Sequence, residues 1–280
     1  FWVFGIEFLD GIDVEGIIYA GQLRKYMEKG AKPTAAGTLM RVSDSGACER
    51  KRAFAGLGIA PSETPDVQTL LAFHMGESIH EFIQEAFLAQ SVAGGVEAEA
   101  EVKVDLSEVT GVSLSGSADL VVTYQDGHKV VLEFKSASAY GAKLAKSEPK
   151  WDHVGQAGLY AKGLDADGVL IVYIAKESSF RDKIRAGDVF THYYEWDDEV
   201  FEAQTLSSVV ELELERFRRS EKAIKAKRIP VPIVLQDGNT FGIVEVPAPF
   251  GRPAKGKHWE CRYCLYNGYC ASKGPEEQTI

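Results

Sequence analysis

Long hydrophobic runs are absent from this sequence, and their absence sets a first limit on what the chain does. No apolar stretch approaches the roughly 18 consecutive residues that a membrane-spanning helix needs, so we expect no membrane association. Residues 1–16 are rich in apolar side chains, but they include Glu7, Asp10 and Asp13 and have no basic leader. This pattern is not that of a secretory signal peptide. We therefore expect a cytoplasmic protein.

Positive charge is also scarce. The 280 residues include 31 Lys and Arg against 41 Asp and Glu, a net charge of −10. This balance argues against tight, non-specific binding of duplex DNA by the chain as a whole, because attraction to phosphate supplies most of that affinity. It does not exclude a local basic groove. With 45% hydrophobic residues the chain can build a real core, and its length suits one elaborated α/β domain over 1–280.

A nucleotide-binding loop is absent as well. The segment Gly251–His258 has the G-x4-G-K spacing of a phosphate-binding loop, but His258 replaces the required Ser or Thr and Pro253 interrupts it. No strand leads into this segment and no helix is evident after it, so nucleotide binding fails on context. The chain is therefore no stand-alone helicase.

Cysteine is rare but unevenly placed. Three of the four cysteines form a C-x2-C-x5-C cluster, Cys261, Cys264 and Cys270, whereas Cys48 lies far upstream. Thiolates select zinc or iron–sulfur centres, and a shell of four cysteines is the usual one for structural zinc. Zinc knuckles, however, generally use two local pairs. Two disulfides are allowed by count, although a cytoplasmic location argues against them.

A hairpin carries the first candidate site. Two apolar-rich runs, 114–124 and 129–134, flank Gln-Asp-Gly, a strong turn signal. Asp119 lies in the first strand; Glu133 and Lys135 end the second and share one face, while Phe134 points away. Two carboxylates and a lysine suit a hard cation such as Mg²⁺ or Mn²⁺ with a water. The alternative is an ordinary ion pair on the surface of the hairpin.

Helices are predicted before and after the hairpin. His153, Gln156 and Tyr160 are spaced i, i+3, i+7 on a helix that begins near Lys150, and a strand follows at 169–175. Upstream, patterns predict helices over 14–30, from Ser43 to 58, and over 68–90. The last of these is expected to bury an apolar stripe: Ile79, Phe82, Ile83, Ala86 and Phe87.

The order of these features resembles the RecB-like branch of the PD-(D/E)XK nucleases. The matching residues are Asp119, Glu133, Lys135, Gln156 and Tyr160. The resemblance implies a restriction-endonuclease-like core over 66–195, with a central mixed sheet flanked by helices. It implies that Asp119 and Glu133 bind the metal, that Lys135 is catalytic, and that Gln156 and Tyr160 border the DNA path.

Two further residues follow from the same resemblance. His80 stands where an upstream histidine often completes the metal shell, although a hydrogen-bonded histidine at the edge of the core is the alternative. Glu101 stands where relatives often carry a Glu that contacts a second metal or its water. A solvent-facing charge on a strand is the competing interpretation for Glu101.

One N-terminal and three C-terminal cysteines resemble the iron–sulfur nucleases of this branch. These include the CRISPR-associated four family, the AddB nuclease domain and related phage exonucleases. The resemblance favours a [4Fe–4S] cluster over zinc at Cys48, Cys261, Cys264 and Cys270. Such a cluster forms a subdomain from 43–58 plus 255–272 and ties the two ends of the chain together. Its expected role is architectural.

A long helix is predicted over 197–228, and its basic end offers further contacts to DNA, unless it is simply a solvated face. The candidate DNA-binding residues are His153, Gln156, Tyr160, Arg216, Arg219 and Lys222. The function predicted is a metal-dependent deoxyribonuclease, an exonuclease on single-stranded DNA or DNA ends. The alternative is a non-catalytic module for DNA-end binding or complex assembly. Recombination, helicase or CRISPR-adaptation proteins are candidate partners, and homo-oligomerisation stays open.

Overall fold

The computed structural model describes residues 20–21, 23–25, 40–94, 96–230, 261, 264–274 and 278–279. Most of the helix predicted over 14–30, and the segment 255–260 of the predicted iron–sulfur subdomain, lie outside these residues. Within them, no helix combines the length and the apolar character that crossing a bilayer would need.

A mixed β-sheet of six strands forms the centre of the described structure. The strands are β1 (Met40–Arg41), β2 (Glu97–Asp105), β3 (Leu114–Thr123), β4 (Lys129–Ala137), β5 (Gly168–Ala175) and β6 (Val189–Glu195). Their order across the sheet is β1–β3–β4–β5–β6, and β2 also pairs with β3. The pairs β1–β3 and β4–β5 are parallel, whereas β2–β3, β3–β4 and β5–β6 are antiparallel.

Helices precede, connect and follow the strands. Those with described bounds are α1 (Glu49–Gly56), α2 (Val67–Gly94), α3 (Ser107–Thr110), α4 (Ala139–Ala145), α5 (Trp151–Leu164), α6 (Leu206–Lys225) and α7 (Asn267–Ser272). The short strand pairs β7 (Glu199–Phe201) with β8 (Gln204–Thr205), and β9 (Arg228–Ile229) with β10 (Gln278–Thr279), lie outside the main sheet.

The predicted hairpin is β3 and β4. Its turn closes with the Tyr124 N–H donating to the His128 carbonyl at 2.9 Å, and Gly127 supplies the positive φ of 88° that this turn requires. The parallel partner of β4 is β5, and α4 and α5 provide the connection between them. One end of β4 therefore leads directly into the helices that cover the sheet.

The two faces of the sheet bury separate cores. One face packs α2 against Leu120, Leu132 and Phe134, and the other packs α5 and α6 against Val131 and Ile171. Alternate residues of one strand thus serve opposite cores, as the period of a strand requires. The expected α/β architecture, a mixed central sheet flanked by helices, is confirmed.

The predicted apolar stripe of α2 is partly wrong. Phe82 is 73% exposed, and Ala86 is exposed as well, while the packing face consists of Ile83, Leu88 and the buried Gln84. Hydrophobic periodicity places apolar residues inward, but the Gln84 amide finds hydrogen-bond partners on β2 and β3 and takes the inner position.

The start of α1 also differs from the prediction. The helix begins at Glu49, with Cys48 as its N-cap residue, and the segment from Val42 to Asp44 forms a separate 3₁₀ turn. Gly46 between them has a φ of 74°, its N–H donates to Glu213 at 3.2 Å, and its carbonyl accepts from Arg216 at 3.1 Å. This left-handed residue diverts the backbone toward α6.

The long helix predicted from 197 begins instead at Leu206. The Thr205 side chain caps it by accepting the Ser208 N–H at 3.3 Å. Residues 199–205 form β7 and β8, whose pairing turns the chain back before the helix starts.

Candidate active site

The candidate site lies where β3 and β4 separate. Their antiparallel pairing runs from Thr123 and Lys129 to Leu120 and Leu132, and stops there. Beyond this point the Asp119 side chain takes the place of a backbone partner, because the Phe134 N–H donates to Asp119 Oδ2 at 2.7 Å. The carboxylate is thereby held at the opening between the strands, beside the end of β4.

Glu133 and Lys135 share one face of β4, and Phe134 packs into the opposite core. Lys135 Nζ donates to Glu133 Oε1 at 2.7 Å and to Gln156 Oε1 of α5 at 3.0 Å. Glu133 is 1% exposed. The structure therefore brings Glu133, Lys135 and Gln156 into direct contact between β4 and α5.

The Glu133 carboxyl is in an unfavourable environment for an anion. Burial raises its pKa to about 7, and the Asp119 carboxylate adds to the increase, while Lys135 and His80 oppose it. Burial lowers the pKa of Lys135, but Glu133 and Asp119 outweigh it and keep that pKa above its ordinary value. Glu133 Oε2 is buried and has no hydrogen-bond partner among the described residues. A buried oxygen of this kind is a free ligand position.

Tyr160 follows Gln156 by four residues, about one turn, on α5 and is 2% exposed. A Cβ at Gly116 would lie 2.6 Å from Tyr160 Cε1 and 2.7 Å from its hydroxyl, so only glycine allows the β3 backbone to approach the ring. Burial and the Glu133 charge raise the pKa of Tyr160 above its ordinary range, so the phenol stays protonated. The sequence analysis assigned no role to Gly116; the signal available was a glycine in a strand, three residues before Asp119.

Helix α2 approaches the site from the other face of the sheet. His80 Nδ1 lies 3.6 Å from Asp119 Oδ2. Gln84, four residues further along the same helical face, donates through Nε2 to the Asp119 carbonyl at 2.8 Å and to Glu101 Oε1 at 3.0 Å. Gln84 was missed as a site residue. Its i, i+4 spacing from His80 was the signal that could have identified it.

Glu101 lies beside Asp119 through this amide bridge. Its other oxygen accepts the Ser117 hydroxyl at 2.9 Å. The Glu101 backbone has a φ of 53°. Glu101 has no paired residue on β3, although the residues of β2 on either side of it pair with β3 in one continuous register. A non-glycine residue held in this region next to a candidate site indicates that its neighbours impose the conformation.

His153 lies on α5 beside Lys135 but makes a structural contact. Its Nδ1 lies 2.8 Å from the Tyr173 hydroxyl, which also accepts the Lys150 N–H at 3.0 Å. Burial, together with the Lys135 and Lys150 charges, lowers the pKa of His153 to about 2, so the ring is neutral. The geometry favours a role in supporting the site.

Two of the basic residues predicted to contact DNA on α6 bond to other parts of the protein, the half-buried Arg216 and the exposed Arg219. Arg216 donates to Glu213 Oε2 at 2.9 Å and to the Ala47 carbonyl at 3.0 Å, and Arg219 donates to Glu49 Oε1 at 2.7 Å. These bonds hold α6 against α1. The exposed Lys222 lies outside this set of bonds.

A sequence profile of the PD-(D/E)XK nuclease superfamily matches residues 47–271 of this chain, well over half of its length. The chain belongs to the PD-(D/E)XK nuclease superfamily. Membership implies a metal-dependent nuclease with DNA as its substrate. A comparison with curated proteins gives no significant match.

Two solved structures are similar to this superfamily member. The crystal structure of SSO0001 aligns with a TM-score of 0.48 and 17% identity, covering 92% of this chain and 98% of the other. LHK-Exo in complex with dAMP aligns with a TM-score of 0.43 and 13% identity, covering 70% of this chain and 94% of the other.

PD-(D/E)XK nucleases use divalent metals such as Mg²⁺ or Mn²⁺. Among the described residues, no group of three or more His, Cys, Asp or Glu side chains is arranged to hold a metal ion. The donor set nevertheless fits Mg²⁺, which takes one or two carboxylates and completes its shell with waters and phosphate oxygens. Asp119 and the unpartnered Glu133 Oε2 supply those two carboxylates.

The cysteines of this nuclease lie partly together. All four belong to the described residues, and none forms a disulfide. Burial raises the pKa of the Cys270 thiol to about 11, Arg50 opposes the increase, and Cys48 and Cys264 add to it. The Cys264 N–H donates to the Cys261 carbonyl at 3.4 Å. Thiols from both ends of the chain therefore interact.

A small apolar cluster accompanies these thiols. Phe54 of α1 lies 5.5 Å from the Tyr266 ring and 5.1 Å from the Tyr269 ring, measured between centroids. Ile229 of β9 completes the cluster and is fully buried. Packing alone thus joins α1 to the C-terminal segment around α7.

Proposed function

We propose that this chain is a Mg²⁺- or Mn²⁺-dependent deoxyribonuclease that acts as an exonuclease on single-stranded DNA or DNA ends. The observation that carries the proposal is the Glu133 carboxyl, which is buried, has a pKa of about 7, and keeps one oxygen without a partner among the described residues. Burying a carboxylate in this state is costly, and a bound cation offsets the cost.

Each residue of the site has a role that its contacts support. Asp119 and Glu133 hold the cation, with His80 beside Asp119. Lys135 uses two of its three N–H donors on Glu133 and Gln156, so the third is available to a water or a phosphate oxygen. The cation, when bound, supplies Lewis-acid activation of the phosphate and of the attacking water.

Positioning of Lys135 is the contribution of α5. Gln156 Oε1 accepts from the ammonium at 3.0 Å and fixes its direction. The Tyr160 ring packs against Gly116 and keeps α5 close to β3. The positive charge of Lys135, held between a carboxylate and an amide, stabilises negative charge that develops on the phosphate during hydrolysis. Glu101, tied to Asp119 through Gln84, is proposed as a ligand of a second metal or its water.

Cleavage of labelled single-stranded DNA with Mn²⁺ tests this assignment. We expect the native chain to cleave and Lys135→Ala to lose at least about 100-fold in rate, the scale of removing one catalytic charge. Lys129→Ala is the matched control, because Lys129 begins the same strand at its opposite end. End-blocked and circular strands resist an exonuclease. Binding without cleavage by the native chain would instead favour a non-catalytic module for DNA ends.

We further propose that Cys48, Cys261, Cys264 and Cys270 hold a [4Fe–4S] cluster. The approach of Cys48 and Cys264 to Cys270 supports this, as do the thiolate donors themselves. With this cluster, we propose that the chain belongs to the RecB-like, iron–sulfur branch that includes CRISPR-associated and phage nucleases. It forms a subdomain from 43–58 and 255–272 beside the 66–195 core, within a single nuclease domain. Recombination, helicase or CRISPR-adaptation proteins are the partners this placement suggests.

Metal analysis of anaerobically purified protein tests the cluster. We expect about four irons per chain and a broad absorbance around 400 nm from thiolate-to-iron charge transfer. A Cys270→Ser variant should lose both, while the Phe54 packing still joins the two ends of the chain. One zinc per chain and no visible absorbance would contradict the cluster and support the zinc alternative.

A further inference from the structure

The loop between β5 and β6, residues 176–188, carries the most exposed aromatic side chain of the described structure. Phe180 is 102% exposed, so no neighbour shields its ring. The loop around it is nevertheless ordered by hydrogen bonds. Ser179 and Ile184 exchange backbone bonds of 2.9 and 3.1 Å, and the Ser179 hydroxyl donates to Asp182 Oδ2 at 2.8 Å. The Phe180 ring is therefore presented at the tip of a closed turn.

This turn is fixed to the body of the protein. Ile184 is 3% exposed and packs in a small core with Ala139, Ala142 and Ala175. Lys143 of α4 donates to Asp182 Oδ1 at 2.9 Å. The base of the loop is thus held by the buried Ile184 and by an ion pair, while the Phe180 side chain points into solvent. Burying Phe180 would have gained transfer free energy, so its exposure is unexplained by folding.

The loop leaves the sheet at the end that carries the candidate active site. Lys135 pairs with Tyr173, and Ala137 pairs with Ala175, the last residue of β5. Two residues of strand, roughly 7 Å, separate Lys135 from the point where the loop begins. The helix α4 that holds the loop follows β4 directly.

Three basic side chains of the loop are exposed against one acidic side chain, Glu177, in a chain whose net charge is −10. Arg181, Lys183 and Arg185 are exposed. The acidic residues are used within the protein: Glu177 accepts the Ala139 N–H at 3.0 Å, and Asp182 pairs with Lys143. The remaining acid, Asp188, accepts the Arg185 N–H at 2.8 Å.

We propose that Phe180 is a base-stacking residue for single-stranded DNA, with Arg181 and Lys183 contacting the adjacent phosphates. The proposal rests on the nuclease function proposed above and names what the site selects. An unpaired base offers an aromatic face for stacking whatever its identity, whereas a base inside a duplex is already stacked on both sides. Phe180 therefore favours single-stranded DNA, or duplex DNA whose end is frayed where it enters the active site.

Binding of a fluorescent single-stranded oligonucleotide, followed by anisotropy with Mn²⁺ present, tests the proposal. A Lys135→Ala background prevents cleavage during the measurement. In this background Phe180→Ala should weaken binding roughly five- to tenfold, the low end of one stacked base, while Phe180→Tyr keeps the ring and the affinity. Tyr124→Ala is the matched control, because Tyr124 is 47% exposed at the hairpin end of β3, the opposite end of the sheet.

A set of oligonucleotides, each with one abasic site at a different position, tests whether the contact is base stacking. At one position of the oligonucleotide, the abasic site should weaken binding to the Lys135→Ala chain by the same roughly five- to tenfold factor. The same abasic site should have no effect on binding once Phe180 is also replaced by Ala. A loss that is equal on base-bearing and abasic strands, equal affinity with and without the Phe180 ring, or no binding at all would overturn the proposal. The nuclease function fails separately, if the native chain cleaves no DNA.

Discussion

The close approach of β3 to α5 at Gly116 makes a direct prediction about the site. In a Gly116→Ala variant, the new Cβ would lie 2.6 Å from Tyr160 Cε1 and 2.7 Å from its hydroxyl. Tyr160 is 2% exposed and belongs to the core between the sheet and α5, so the ring cannot turn away without disturbing its neighbours. Either β3 or α5 has to move, and α5 carries Gln156, which holds Lys135.

The size of the effect follows from two opposing contributions. Forcing one extra methyl into a packed core costs about 1–3 kcal/mol, and replacing glycine in a strand returns about 0.5–1 kcal/mol. We therefore expect Gly116→Ala to lower the free energy of unfolding by about 1–2 kcal/mol, which lowers Tm by roughly 2–8 °C for a chain of this size. Activity should fall more than stability, because a displacement near 1 Å at a catalytic group costs on the order of 100-fold in rate.

Gly155→Ala provides the matched control. Gly155 is the residue before Gln156 on α5, and a Cβ there would meet its nearest neighbour, the Glu213 side chain, at 3.7 Å, an ordinary contact. Helix propensity should raise the stability of this variant by up to about 1 kcal/mol, with activity retained. Thermal unfolding and Mn²⁺-dependent cleavage are measured side by side for both variants. A Gly116→Ala protein as stable and as active as the native chain would refute the reasoning.

Two further predictions concern buried charges. Glu213→Ala leaves the buried Arg52 guanidinium, which is 3% exposed, without its carboxylate partner, and should cost about 3–5 kcal/mol of stability in urea unfolding. The control Glu211→Ala removes an exposed pair with Lys162 and should change stability by less than about 1 kcal/mol; similar costs for the two variants would contradict this. The pKa of Glu133 is raised from 4.5 to about 7 in the folded state, so its contribution to stability is present below pH 4.5 and is lost as pH rises through about 7. In EDTA, the free energy of unfolding of the native chain should therefore fall by about 3 kcal/mol relative to that of Glu133→Gln between pH 4.5 and 8. If the difference in free energy between the two proteins did not change with pH, Glu133 would not be buried with a raised pKa.

Local pattern was sufficient for the strands and for part of the site. Period-two alternation predicted that Glu133 and Lys135 share a face and that Phe134 faces away, and helical spacing predicted that Gln156 and Tyr160 line one side of α5. These are properties of a single element, so neighbours along the chain determine them. The mixed sheet flanked by helices was implied by the resemblance to the PD-(D/E)XK nucleases that the order of these elements carries.

Positions that depend on a partner element were the ones the pattern missed. Phe82 was expected inside and is exposed. Gln84, which the expected apolar stripe did not include, is buried, because β2 and β3 supply the acceptors that make a buried amide favourable. Arg216 was predicted to contact DNA, and the sequence did not reveal that its guanidinium also bonds to Glu213 and to the Ala47 carbonyl. The sequence gives the charge of a side chain, but whether that side chain can contact a ligand depends on the elements that pack against it.

The sequence by itself determined which residues could share a strand face or a helix face, since that requires only the repeat of the backbone. Tertiary structure decided that Glu133 is buried with one oxygen unpartnered, that Gly116 admits the Tyr160 ring, and that Phe180 stays in solvent at the end of the sheet that carries the site. Each of these depends on burial or on distance between elements far apart in the chain. Such quantities exist only once the chain has packed, and they are the ones that set the pKa, the fit and the accessibility on which catalysis depends.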